Sequence, residues 1–139
     1  MTNKDEKKET KPAAQSRILK TKAFKKLAKK GDITDKKLVK AIEEVNSGLV
    51  DGDYGGGVLK KRVARQGQGK REGHRVIILM QKGTDVFFVH SFEKGDKEDL
   101  EEDEQKAYKL MAKTFFAFSN ADIEKAIKNG IFEEVKNDD

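Results

Sequence analysis

An α+β fold is what this sequence predicts, and three observations carry the prediction. Apolar residues recur at helical spacing towards both ends of the chain. Between them, Val58 to Phe92 reads as consecutive strands separated by turns, and strands grouped apart from helices mark the α+β class. The length, 139 residues, suits one domain with one modest core. Residues 1–15 are almost entirely polar and are expected to form a disordered tail, which leaves 16–136 as the folded domain and 137–139 as a short C-terminal tail.

Taken in order, Arg17 to Thr21 is a candidate first strand. Phe24, Leu27 and Ala28 place a helix over Lys22 to Lys30, stopped by Gly31. Thr34 caps a second helix, with Asp35 favouring its positive end and Leu38, Ile42 and Val45 on one face. Gly48 suits a left-handed C-terminal cap, with Leu49 placed to pack back. Gly52 to Gly57 reads as a turn-rich loop. Its three consecutive glycines lack the Lys-Ser/Thr of a phosphate loop and lead into a strand, so a flexible approach to the sheet is the better reading. Strands are expected at Val58 to Arg65, His74 to Gln81 and Asp85 to Phe92. Lys82-Gly83-Thr84 is the tight turn between the last two, and Gln66 to Gly73 is a longer link expected to be mobile. Asp99 with Glu102 suggests the start of a third helix, striped by Ala107, Leu110, Met111, Thr114 and Phe118. Ser119 with Asp122 opens a fourth, with Ile123, Ala126 and Ile127 facing inward and Gly130 ending it.

Several function classes are disfavoured by composition. The chain has no cysteine, so disulfides and thiolate metal sites are excluded. The two histidines, His74 and His90, leave little scope for zinc, and no cofactor or metal is expected. No apolar run approaches the ~20 residues that span a bilayer, and no apolar signal follows the charged N-terminus. The expected location is the cytoplasm, with no membrane partner.

Charge is unevenly spread. Val58 to Lys82 carries eight basic residues against one acid, Glu72, and Glu93 to Glu104 then carries eight acids against Lys94 and Lys97. A basic block favours a polyanion, whose bound counterions are released on contact. A solvated face is the commoner meaning of a charge run. Here the block falls on predicted strands, which favours function.

Strand alternation says where these charges point. Lys60 and Arg62 share a face with Val58 and Ala64, while Leu59 and Val63 share the other. If Arg62 pairs with Ile77, Arg75 falls opposite Ala64 on the Lys60/Arg62 face. The opposite face then collects Leu59, Val63, Val76, Ile78 and Met80, the better core. The register that buries one face therefore gathers three cations on the other. Mutual repulsion gives folding no reason for such a cluster, and an anion gives it one. The structural alternative is that the cations pair with the acidic third helix.

The run from Gly55-Gly56-Gly57-Val58-Leu59-Lys60-Lys61-Arg62-Val63-Ala64-Arg65 through Gln66-Gly67-Gln68-Gly69-Lys70, continued by Gly73-His74-Arg75-Val76-Ile77-Ile78, is similar to a signature of one branch of the RelE/ParE toxin superfamily. The third strand's Val89-His90-Ser91-Phe92-Glu93-Lys94 ending and the Ser119 to Val135 segment resemble the same branch, so the likeness runs from about Arg17 to Val135. It implies a RelE-like fold, with two N-terminal helices packed on a small antiparallel sheet and C-terminal helices beyond. It also implies the toxin of a type II toxin–antitoxin pair. Such a toxin is an mRNA interferase that inhibits translation and is neutralised by a cognate antitoxin, expected to be a helix-turn-helix protein. Its substrate is RNA, including ribosome-bound mRNA. The chemistry needs no metal: the 2′-OH attacks its own phosphate, which calls for a base, cationic stabilisation and an acid.

By position, the resemblance implies catalytic roles for Lys60, Arg62, Arg75 and Lys94, with Arg75 on the scissile phosphate. Lys61, Arg65, Lys70 and Arg71 are the accompanying RNA-binding candidates. Gly95 and Glu101 depart from the family pattern, standing where RelE has an arginine and an RNA-stacking tyrosine. His74 is expected to be a packed or rim residue, and His90 a half-buried one. Two other activities fit the same residues, a ParE-like DNA gyrase poison and a nucleic-acid-binding module without catalysis.

Overall fold

The structure, a computed structural model, describes residues 16–64, 73–93 and 99–136. Both expected tails lie outside the described residues, as do Arg65, Lys70, Arg71, Lys94 and most of the Gln66 to Gly73 link.

The described elements run β1 (Ile18–Thr21), α1 (Lys22–Lys30), α2 (Asp35–Asn46), β2 (Gly52–Gly55), β3 (Val58–Val63), β4 (His74–Leu79), β5 (Val86–Glu93), α3 (Glu102–Phe116), α4 (Asn120–Lys128) and β6 (Phe132–Glu134). The class is α+β, as expected. The sheet is larger than expected and is mixed rather than antiparallel. Its six strands lie in the order β2-β3-β4-β5-β1-β6, and β1 runs parallel to β5.

Two strands were not foreseen. β2 lies in the glycine stretch read as a flexible loop. It pairs with β3 through Gly56 and Gly57, whose φ values of 65° and 85° are both positive. Positive φ at both central residues suits the twist of a two-residue hairpin. Phe116 closes over Gly57, where an added Cβ would lie 2.7 Å from its ring. β6 is short and, among the described residues, pairs only with β1.

Both faces of the sheet are covered. Phe24 and Ala28 of α1 and Leu38, Ala41 and Ile42 of α2 join Val63, Val76, Ile78 and Phe88 in one core. The other core joins Val58, Ile77, Leu79 and Phe87 to Ala112 of α3 and Ile123 of α4. An aromatic triangle ties the second core together, with ring centroids of Phe87, Phe115 and Phe132 5.0–5.4 Å apart.

The helix termini follow local chemistry. Thr21 and Thr34 accept from Phe24 N–H and Lys37 N–H, and Ser119 and Asp122 form a reciprocal capping box. α3 departs from expectation by two residues: its cap is Glu101 with Glu104, not Asp99 with Glu102. Its inward stripe is correspondingly Tyr108, Met111, Ala112, Phe115 and Phe116, while Leu110 is 68 % exposed. Leu49, expected to pack back on α2, is also exposed.

Candidate functional site

The β3–β4 register differs from the expected one by two residues. Arg62 pairs with Arg75 and Lys60 with Ile77. A shift of two preserves the faces, so Lys60, Arg62 and Arg75 still share one. It also brings the two arginines face to face, with Cα atoms about 5 Å apart for a directly opposed pair.

The β5 strand extends these rows. His90 continues the Lys60–Ile77 row, and Phe92 the Arg62–Arg75 row. A register break between Ile77 and Ile78 marks a bulge on β5, after which His90 and Phe92 join the α3 side of the sheet. Tyr108 of α3 stacks on His90 at 6.0 Å and 27°. One turn further along, Ala112 is fully buried over the core. The cationic rows therefore lie at the end of the sheet where α3 begins.

Each cation has a different environment. Lys60 Nζ lies 3.4 Å from Asp99 Oδ1. The Arg62 Nε is 3.4 Å from Asp51 Oδ1, and its backbone N–H donates to Asp51 Oδ2 at 2.7 Å. Half-buried Arg75 donates to the Gly73 carbonyl at 3.4 Å, and among the described residues it has no carboxylate partner. The structural alternative is thus met in one case of three: Lys60 pairs with the acidic run, Arg62 pairs elsewhere, and Arg75 with neither.

Lys61 is not brought to this face. It points to the α2 side, 2 % exposed, with Nζ 2.9 Å from Glu44 Oε1 and 3.5 Å from Asp51 Oδ2. A buried ammonium requires such partners, and they leave it turned away from an external phosphate. His74 is also buried on that side, its Nε2 3.1 Å from the Gly31 carbonyl oxygen, which agrees with the packed role expected of it. Lys94, Arg65, Lys70 and Arg71 lie outside the described residues.

Two residues at the site were missed in the sequence. Tyr54, on β2, packs against the α3-side core and donates its hydroxyl to Asp99 Oδ1. Burial, then the Asp99 hydrogen bond and charge, push the Tyr54 pKa well above the ordinary tyrosine range. Burial works against the Asp99 carboxylate, but donation from Tyr54 and from Leu100 N–H, with the charge of Lys60, outweighs it and holds its pKa below the usual value. Tyr54 stays a donor and Asp99 an anion at neutral pH. Tyr108 is pushed up as well, by burial first and by the nearby Glu104 charge. The usable signal was a tyrosine within a glycine run, where a packed aromatic argues against a free loop.

Chemically, the site offers two arginines at opposed strand positions, an ammonium, an imidazole stacked on a phenol ring, and a half-buried phenolic donor. Guanidinium forks match phosphate oxygens in pairs. Among the described residues no group of three or more His, Asp or Glu side chains could hold a metal ion, and no helix is long and apolar enough to cross a membrane.

No curated protein of similar sequence is found. The model of a family described as the RelE toxin of the RelE/RelB toxin–antitoxin system matches residues 16–135, nearly the whole described chain. The chain therefore belongs to the RelE toxin family and is the toxin of a type II toxin–antitoxin pair.

Proposed function

We propose that this toxin is an endoribonuclease that cleaves mRNA by attack of a 2′-OH on its own phosphate. The O2′–P bond forms and the P–O5′ bond breaks, so a proton leaves O2′ and another reaches O5′. The single observation that carries the reading is the opposition of Arg62 and Arg75, with Arg75 free of any carboxylate among the described residues. Asp51 balances Arg62 but no carboxylate among the described residues balances Arg75, so the opposed pair keeps a net positive charge that opposes folding. A phosphate between them relieves that repulsion, and a phosphorane, more highly charged, relieves it further, which is the preference for the transition state that catalysis requires.

Arg75 grips the scissile phosphate, Arg62 supports it, and Lys60 and Lys94 complete the cationic set. His74 is buried on the other face, so His90 is the imidazole on this one and carries a proton in the transfer. Arg65, Lys70 and Arg71 hold flanking RNA. The two N-terminal helices and the sheet form the RelE-like frame of this site, and a helix-turn-helix antitoxin neutralises it in the cytoplasm. Added salt weakens that complex if the antitoxin covers the basic surface.

The test is primer extension on mRNA from cells expressing the toxin. New 3′ ends in the wild type that vanish in Arg75→Ala support the reading. Growth arrest without any RNA cleavage moves the gyrase-poison activity ahead of it.

A further inference from the structure

One oxygen atom gathers donors from three separate segments. Asp99 Oδ1 accepts the Tyr54 hydroxyl of β2, lies 3.4 Å from Lys60 Nζ of β3, and accepts Leu100 N–H at 2.9 Å. The Asp99 side chain is 53 % exposed, whereas Lys60 is 16 % exposed. The donors are thus held in the surface and the acceptor sits on top of them. Asp99 is also no part of the helix cap, since Glu101 and Glu104 perform that task. Its carboxylate is not required to satisfy α3.

Tyr54 and Lys60 belong to the same face as Arg62 and Arg75. Lys60 is two residues from Arg62, about 7 Å along a strand. A chain of phosphates crossing the two arginines meets Lys60 and Tyr54 next. Carboxylate and phosphate oxygens accept from the same charged and hydroxyl donors with similar geometry.

We propose that Tyr54, Lys60 and the Leu100 N–H form a second phosphate subsite, for the phosphate adjoining the scissile one, and that Asp99 occupies it as a built-in stand-in until RNA displaces it. The inference rests on the RNA-cleaving reading above. In the free toxin the carboxylate cancels the Lys60 charge and lowers non-specific attraction to polyanions. Bound RNA must compete with it, so Asp99 sets a threshold for affinity. Tyr54 supplies a neutral donor that survives the exchange.

The experiment measures binding of a fully 2′-O-methylated RNA dodecamer, which lacks the attacking hydroxyl, as a function of salt. Asp99→Asn keeps an acceptor for Tyr54 and Leu100 while removing the charge. It is expected to tighten binding roughly fivefold, the scale of one exposed ion pair, and to steepen the salt dependence. Tyr54→Phe in the Asp99→Asn background is expected to cancel the gain. Asp99→Ser, with circular dichroism on each variant, serves as the second reading where the asparagine variant does not fold. Binding that is unchanged or weaker in a folded Asp99 variant overturns the subsite and makes Asp99 a structural clamp. A wild type that binds RNA while the variants show no gain overturns the subsite alone. A wild type that binds no RNA overturns both this proposal and the nuclease reading.

Discussion

Arg62 and Arg75 stand directly opposite each other on β3 and β4, and only Arg62 has a carboxylate partner among the described residues. Asp51 neutralises one guanidinium and leaves the other to an incoming anion. The pair is therefore asymmetric, and the two arginines will not respond alike to mutation.

Arg75→Ala is expected to abolish RNA cleavage and growth inhibition while the protein stays folded. The loss is on the order of 3 kcal/mol, roughly a hundredfold or more in rate, comparable to removing one oxyanion donor. Arg75→Lys restores part of the activity, since an ammonium cannot reproduce the planar fork. Arg62→Ala and Lys60→Ala also impair cleavage, less than additively with Arg75→Ala. Lys29→Ala, exposed on α1, is the control. Primer extension with circular dichroism reads all five.

Lys61→Ala should damage the fold rather than the RNA contact. It removes the shared partner of Glu44 and Asp51 from a site 2 % exposed. Breaking one side of a buried pair costs about 3 kcal/mol. Urea denaturation is expected to show that loss, while cleavage per folded molecule stays near wild type. A stable variant with weakened RNA binding would return Lys61 to the interface.

Gly57→Ala is expected to destabilise by about 2–4 kcal/mol, from left-handed backbone and from crowding of Phe116. Phe116→Leu in the same background should recover part of the crowding but none of the backbone cost. Thermal melts of the single and double variants separate the two.

Glu133 gives the acid response a specific contributor. Its hydrogen bond from Lys25 is the chief cause that holds its pKa below the ordinary value, against desolvation and with help from Lys20. A folded pKa below the unfolded one means stability that is present above the unfolded value and lost as pH falls through the folded value. Glu133→Gln is therefore expected to be less stable than wild type near pH 7. The difference should shrink below about pH 4.5, the unperturbed carboxyl range. Denaturant midpoints from pH 7 to pH 3 measure it, and a difference that does not change over that range would remove Glu133 from the account.

Much of the fold was legible where short-range chemistry decides it. Thr34, Gly31, Gly48 and the Ser119/Asp122 pair act within a turn or two of the chain, so the sequence identifies α1, α2 and α4. β2 was hidden because its four residues, Gly-Asp-Tyr-Gly, carry no apolar alternation, and β6 because three residues have too little pattern to read. The parallel pairing of β1 with β5 is a long-range choice that no local period records. The same division holds at the site. Alternation placed Lys60, Arg62 and Arg75 on one face, because a face depends only on parity. The step of two that sets Arg62 against Arg75 depends on the packing of both cores. Lys61 was expected to bind RNA, whereas alternation sends it to the other face, where its partner Glu44 lies on a helix and is visible only after folding. The start of α3 was misplaced because Asp99 is a preferred cap residue and Glu101 is not, although the helix begins after Glu101 with Glu104 closing back on it.

The position of β1 between β5 and β6 has a consequence for the order in which the molecule is completed. Residues 18–21 gain their first strand neighbour only when Val86 to Phe88 exist, and their second only with Phe132 to Glu134. Loop closure over such separations is slow and is rewarded late. A chain that stops short of Phe132 leaves Lys20 without Glu133, leaves one edge of β1 open, and leaves the Phe87–Phe115 ring pair without its third member. The strand that comes last in chain order, β6, is thus the one that closes this core.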